Sequence, residues 1–355
     1  MISDNKYVLN NLESDLGLEV SASKVWGITP VTLLGYNTDL DSAGAEDVWD
    51  GGGTYTFGTT AEELFISSSS ASDTTEVTVT GLDANYIEQS VAVTLVGQTK
   101  TRVGTTETFR RINGLEMSTV ADNVGDVYVY ANGNVAQVDT ITLTGTAGTA
   151  DVTVAGGLTK TATFNTDLST TASDFVTAHA AAYLAEDIVV TSDAEDIIFT
   201  ASVAGTGFDS PVITNATGDL AGSVANTTAN SNGVSSGVPA VATLIRGKIN
   251  AAENKTYTSV YTVPANKTLF LKELLIGESS LATGVVAVTL KARELDNRFK
   301  DVGKYALKAT GDSLCKVVYE IPKSFPAKTD LKITTTTSVD NASIVTELNG
   351  LLRDS

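Results

Sequence analysis

The chain has 355 residues, one histidine, one cysteine and a formal net charge of −19. That length predicts more than one domain, and that charge speaks against nucleic acid or an anionic membrane as a partner. The single Cys315 excludes an internal disulfide, and with the single His179 it leaves little from which to build a zinc site or a nucleophilic triad.

Aromatic residues make up 6% of the chain, while Thr, Val, Ala, Ser and Gly recur throughout. This is the vocabulary of strands and tight turns. The first stretch, with "NKYVLNNLESDLG", has no clear period, and residues 1–32 read as an N-terminal arm. It lacks the basic region and apolar core of a secretory signal. No apolar run approaches the roughly 20 residues needed to cross a bilayer. "EDVWDGGGTYTF" (Glu46–Phe57) places three glycines between acids and alternating residues. With no following helix and no lysine nearby, it reads as a turn feeding a strand and not as a phosphate loop.

"ELFISS", "TEVTVTGLD", "YIEQSVAVTLVG" and "GDVYVYANG" alternate in the manner of strands. "GLDANY" (Gly81–Tyr86) is a turn that joins two of them as a hairpin. Residues 137–232 contain one base, Lys160, against eleven acids. This segment predicts three short strands, a helix over 170–186 with Ser or Thr as N-cap, and three more strands. Ala172, Val176, His179 and Tyr183 share one helical face. "ANTTANSNGVSSGVPA" (225–240) reads as a linker. Residues 240–355 hold sixteen of the 23 bases and return to strands, with Pro264 at a turn.

The predicted fold is therefore mainly β. A β-sandwich or jelly-roll-like domain is formed by residues 33–136 and 240–355. It is interrupted by a small inserted acidic α+β domain, mostly β with one helix, at 137–232.

"NTDLDSAGAED" imitates a calcium loop, with Asn37, Asp39 and Asp41 at alternate positions. The glycine and the final glutamate of an EF-hand loop are missing, so a solvated acidic loop is the plainer reading. Neither a metal nor a cofactor is expected, and no catalytic residue is identified. His179 reads as a half-buried core histidine, Cys315 as a small hydrophobe in a strand, and Trp26 and Trp49 as packing residues. The acids of "EDIVVTSDAED" read as exposed turns. "FRRING" (Phe109–Gly114) is a small basic patch that either pairs with acids of a neighbouring subunit or is a solvated strand end. The basic C-terminal part and the acidic N-terminal part offer complementary surfaces between copies.

Four stretches, "LLGYNTDLDSAGAEDVWDGGGTYTF", "SSSSASDTTEVTVTGLDANY", "FRRINGLEMSTVADNVGDVYV" and "VYTVPANKTLFLKELLIGES", resemble a family of uncharacterised virion structural proteins of tailed bacteriophages. The likeness covers residues 33–133 and 256–335. The acidic segment resembles modules embedded in structural proteins of phages of Bacteroidetes-type hosts. The resemblance implies a role in the particle, brings no catalytic residues and does not fix head, neck or tail. The expected role is a non-enzymatic head decoration or fibre component located in the virion. It would self-assemble as a trimer and bind other virion proteins such as the capsid, with no nucleic acid and no membrane. Two alternatives stand beside it. One is a tail or collar fibre that binds host glycans. The other is a glycan hydrolase built from carboxylates alone.

Overall fold

The structure, a computed structural model, describes residues 27–119, 123–154, 157–279, 284–295, 297–309 and 313–354. The expected arm lies outside the described residues as far as residue 26. From Ile28 onward the chain is already a paired strand.

In chain order the strands are β1 (Ile28–Leu40), β2 (Ala45–Asp47), β3 (Leu64–Ser68), β4 (Glu76–Leu82), β5 (Glu88–Thr94), β6 (Thr101–Arg102), β7 (Arg111–Met117) and β8 (Val127–Ala131). The middle of the chain supplies β9 (Val138–Thr144), β10 (Gly148–Val154), β11 (Leu158–Thr163), helix α1 (Leu168–Leu184), β12 (Ile188–Asp193), β13 (Asp196–Ala201), β14 (Val212–Gly218) and β15 (Ala221–Thr228). Next come β16 (Val234–Ser235), β17 (Val238–Pro239), a 3₁₀ turn (Ala242–Leu244), β18 (Ile245–Ile249) and β19 (Tyr261–Thr262). The last strands are β20 (Lys267–Ser279), β21 (Gly284–Glu294), β22 (Lys300–Ala309), β23 (Ser313–Phe325), β24 (Thr329–Thr337) and β25 (Ala342–Asp354). Among the described residues the protein is thus mainly β, with sandwich-like packing of antiparallel sheets and one long helix.

The chain divides into two compact units. One comprises residues 1–131, 236–238 and 242–355, and the other residues 132–235 and 239–241. In the first unit, a single sandwich was expected from residues 33–136 and 240–355, but these segments build two apolar cores. One core lies between the sheet β1–β25–β20–β23 and the sheet β19–β24–β21–β22, with β2 beside β24. The alternation of β25 shows how it forms: Ile344, Leu348 and Leu352 point inward, and Val345 and Glu347 point outward. The other core lies between β18–β8–β3–β6 and β5–β4–β7 and is filled by Leu64, Ile66, Val77, Val79, Phe109 and Val129. Here β4 and β5 pair as the predicted hairpin, Leu82 opposite Glu88. Asp83 Oδ1 closes its turn by accepting the backbone N–H groups of Asn85 (2.7 Å) and Ile87 (2.8 Å). Period-2 patterning tells which face of a strand is buried but not which strand it meets. It therefore does not separate two cores that exchange β1, β2 and β18.

The two cores meet at a buried polar junction. Asp330 on β24 lies opposite Thr262 of β19 and Arg293 of β21. Its carboxylate accepts Thr262 Oγ1 at 2.6 Å and Arg293 Nε at 2.8 Å. Arg111, from β7 of the other core, grips both oxygens at 2.8 Å. Both side chains of the Arg111–Asp330 pair are 1% exposed. Asn113, two residues along, gives its side-chain amide to Thr262 as a strand would. Its Nδ2 donates to Thr262 O at 2.9 Å and its Oδ1 accepts Thr262 N at 3.0 Å.

The second unit holds a separate core between the sheets β11–β10–β14 and β12–β13–β9–β15. Helix α1 presents Ala172, Phe175 and Tyr183 to that core. Its N-cap is Asp167, not the expected Ser or Thr, and the Asp167 carboxylate accepts Thr170 N at 2.7 Å. Residues 225–228, expected as linker, are the end of β15, where Val224 lies opposite Ile141 and Ala225 opposite Thr140. The strand sits at a sheet edge with its outer positions exposed, so Thr and Asn replace the apolar alternation that would have revealed it. Among the described residues no helix is long and apolar enough to cross a membrane.

Removing one partner of a buried, bidentate ion pair strands the other charge. Asp330→Asn is expected to lower the unfolding free energy by about 3–5 kcal/mol, read from urea denaturation followed by tryptophan fluorescence. The double variant Arg111→Met with Asp330→Leu is expected to cost less than Asp330→Asn alone. A loss under about 1 kcal/mol in the single variant would show that the junction does not hold the cores.

Candidate functional site

The end of β1, the glycine turn and the loop after β18 enclose an open cleft of about 880 Å³ in the first unit. The turn explains its own glycines. Asp47 N donates to Gly53 O at 2.8 Å and Gly52 N to Trp49 O at 3.2 Å. Gly52 and Gly53 have φ of +65° and +57°, and a Cβ on Gly51 would lie 2.0 Å from the Trp49 ring. The residues after Gly53 are not a strand, although the alternation of Thr54–Phe57 predicts one. Instead, Tyr55 packs edge-on against Trp49 (5.0 Å between ring centroids) and Phe57 (4.8 Å). Its N–H goes to Asp47 Oδ2 at 2.8 Å and its hydroxyl to Arg246 O at 2.9 Å.

Asn37, Asp39 and Asp41 lie along one wall, but they are not arranged as metal ligands. Asn37 Oδ1 turns back to accept Asp39 N at 3.0 Å, while its Nδ2 donates to Glu46 Oε2 at 3.1 Å. Glu46 also accepts Asp41 N at 2.8 Å and Gly53 N at 3.2 Å, which ties the loop to the glycine turn. Among the described residues no group of three or more His, Cys, Asp or Glu could hold a metal ion. The Asp41 carboxyl is pushed up by desolvation and by the charges of Asp39, Glu46 and Asp340.

The floor holds two carboxyls that sequence reasoning missed. Asp50 is 7% exposed. Its Oδ1 accepts Asn250 Nδ2 at 3.1 Å, and its Oδ2 accepts the Tyr257 N–H and Thr256 Oγ1. Burial outweighs these donors and pushes the Asp50 carboxyl up to about 8. Glu253, whose buried Oε2 has no hydrogen-bond partner, is likewise raised by desolvation. Beside them, Lys248 Nζ is 2.9 Å from Asp126. Burial would raise Asp126, but Lys248 and the Ala251 N–H prevail and hold it below its usual range. The only sequence signal for Asp50 is its place between Trp49 and the glycines, since Glu253 and Tyr257 lie some 200 residues away.

The other candidates fall outside the cleft or serve packing. Trp49 is 5% exposed, so it offers no stacking platform for a sugar. Trp26 lies outside the described residues. His179 is half-buried on α1, edge-on to Phe175 (5.0 Å), with Nε2 3.4 Å from Thr161 O. Cys315 is half-buried against the first core. The basic patch is spent inside the chain. Arg111 binds Asp330, and Arg110 Nε donates to Tyr86 Oη at 2.7 Å.

A chain of this kind has a second distinctive surface, the outer face of β1–β25–β20–β23. Its cross-strand register aligns Tyr36, Val345, Gly277 and Leu314 in one row. Leu314 is 73% exposed, and on the same edge strand Val318 is 60% and Ile321 86% exposed. The row encloses a shallow notch of about 380 Å³.

Comparison with known protein families and with curated proteins returns no match. Among solved structures, the chain is similar to the infectious bursal disease virus Gx strain structure at 11% identity and a TM-score of 0.16, over 92% of this chain and 77% of that one. The Gt strain structure gives 12% identity and the same TM-score, over 93% and 78%. A cycloalternan-forming enzyme from Listeria monocytogenes gives 10% identity and a TM-score of 0.15, over 69% of this chain and 20% of that one. Scores this low carry no argument about fold or function.

The raised carboxyl of Asp50 fixes the sign of a pH effect. The folded chain keeps a proton there that the unfolded chain has released, so the stability Asp50 contributes is fully present below the ordinary carboxylate range and is lost as pH rises toward 8. Glu253, raised in the same direction, adds to the fall at its acidic end. Urea denaturation at several pH values between 5 and 8 is expected to show this decline. In Asp50→Asn the decline should flatten, and an unchanged slope would mean that Asp50 titrates normally.

Proposed function

We propose that this chain is a non-enzymatic virion structural protein that self-assembles and binds other virion proteins, as a head decoration or fibre component. The observation that carries the reading is the exposed apolar row on a four-stranded face, with Leu314 73% and Val345 45% exposed. A monomer leaves contiguous apolar surface of this kind open at the risk of aggregation, whereas an assembly covers it. The resemblance of residues 33–133 and 256–335 to phage virion proteins supplies the setting. The net charge of −19 fits a particle component that does not adhere to packaged DNA or to an anionic host surface.

The cleft gives the carboxylate-only hydrolase little support. Such an enzyme sets an ionised carboxylate opposite a protonated one. Here both floor carboxyls, Asp50 and Glu253, are pushed toward the protonated form. Glu46 has its oxygens taken up by Asn37, Asp41 and Gly53. The buried Trp49 likewise gives little support to a glycan-binding fibre.

Two measurements test the proposal. Gel densitometry of purified virions is expected to show copy numbers in multiples of the capsid lattice. A count no higher than that of a tail or collar ring would move the protein off the head. Sedimentation of the purified chain is expected to show self-association at micromolar concentration, and a persistent monomer that releases reducing ends from host capsule would overturn the reading.

A further inference from the structure

Gly277 is an unusual residue for its place. It lies in the interior of β20, where glycine costs strand stability. Other glycines of this sheet are there because a side chain has no room. A Cβ on Gly35 would lie 2.0 Å from Ser259 Oγ, and one on Gly350 would lie 2.8 Å from Phe270 O. A Cβ on Gly277 would meet only Leu314 Cδ1, at 3.9 Å, and its backbone is not left-handed. The fold of the single chain therefore gives no reason for its absence. What the missing side chain creates is the notch between Val345 and Leu314 on the outer face.

The register shows what fits it. Strand order across the sheet is β1, β25, β20, β23. Tyr36 on β1 and Gly277 on β20 are both paired with Val345 on β25, so the aromatic knob and the glycine hole lie one strand to either side of it. We propose that this face is a two-fold interface between two copies of the chain, with the axis running along β25, so that Tyr36 of each copy enters the Gly277 notch of the other. This inference rests on the self-assembly reading above.

The same axis matches the other rows of the face. Leu34 and Leu275 both pair with Glu347, so Leu34 of one copy meets Leu275 of the other. Pro30 and Phe270 both pair with Leu351 and meet in the same way. All four strands are 13 residues long. Overlap of β1, β25 and β20 spans roughly 44 Å by 14 Å, or about 600 Å² on each copy, and leaves the edge strand β23, with most of its exposed apolar residues, at the border of the contact. The total of about 1,200 Å² lies at the lower limit for a specific, stable interface. Two features oppose it: Glu347 and Arg353, both on the outward face of β25, each meet their own copy on the axis, where like charges repel. Two-fold pairing differs from the trimer implied by the family resemblance, and the difference is measurable.

Sedimentation equilibrium of the full chain and two variants decides the matter. Gly277→Val adds a side chain in the notch, where its Cβ meets no atom closer than 3.9 Å, and is expected to raise the dimer dissociation constant about tenfold or more. Glu347→Gln removes the Glu347 repulsion on the axis and is expected to lower it about twofold to fivefold. Circular dichroism checks that each variant keeps its strands, and Glu347→Gln keeps the test open if Gly277→Val fails to fold. A trimer, or a dimer indifferent to both variants, would overturn the two-fold interface while leaving the self-assembly reading intact. A wild-type chain that stays monomeric at every concentration would overturn both.

Discussion

The carboxylate of Asp330 is the constraint on which the first unit depends. It is placed by strand register alone: Thr262 and Arg293 are its cross-strand neighbours, and both bind it. That row belongs to one core. Arg111 reaches it from the other core through two bonds of 2.8 Å. Placing an ion pair at 1% exposure costs several kcal/mol in desolvation for each ion. The bidentate geometry, the Thr262 hydroxyl and the stacking of both guanidinium groups over Phe57 offset that cost. Arg293 is 18% exposed, so the excess positive charge of the cluster reaches water. Hydrophobic contact alone allows two apolar cores to slide past each other. A directional, buried contact fixes them in one arrangement, and Asn113 adds a second by pairing with Thr262 like a strand.

Much of the local structure was legible because local rules govern it. The β4–β5 hairpin follows from alternation on both sides of a turn, and the helix from Ala172, Val176, His179 and Tyr183 on one face. The N-cap was misplaced by two residues because Asp, Ser and Thr all qualify and only the coordinates show which accepts Thr170 N. Strand β15 was hidden by its exposure at a sheet edge. The contacts that decide the architecture are of another kind. Arg111 and Asp330 are 219 residues apart, and Lys332 and Asp47 are 285 apart. "FRRING" read as a surface patch because nothing within its own stretch indicates that an acid waits on a distant strand. The calcium-like spacing of Asn37, Asp39 and Asp41 is real, but the Asn37 side chain and the backbone N–H groups of Asp39 and Asp41 tie the loop together and to Glu46. Spacing shows which residues can reach one another, and backbone direction decides which atoms do.

The same local economy bears on chemistry. Asp47, Asp50 and Asp73 are each buried and each accept several donors from the chain. Asp47 takes Lys332, Thr334 and Tyr55 N, and Asp73 takes Ser68, Val124 N and Gly125 N. These carboxyls fasten loops to sheets. A catalytic carboxylate needs the opposite arrangement, with an oxygen left for substrate within a hydrogen bond of the proton it moves. Asp47, Asp50 and Asp73 are committed to holding long loops in place.

Ion pairs within the chain reduce the charge complementarity between copies that the sequence suggests. The C-terminal part is basic in composition, yet its bases largely meet acids within the first unit. Lys332 pairs with Asp47, Lys267 with Asp354, Lys316 with Glu273, and both Lys291 and Lys304 with Asp301. The Asp301 carboxyl, held by those two lysines, is lowered to about 2. Positive charge neutralised at contact distance produces little field beyond a Debye length of about 8 Å. In the proposed self-assembly, recognition between copies would come from groups outside these ion pairs. On the four-stranded face these are an aromatic ring, exposed aliphatic side chains and a glycine whose own chain does not require it. Shape and apolar area act only at contact, so in the proposed assembly they would set how long copies stay together and would have little influence on how fast they meet.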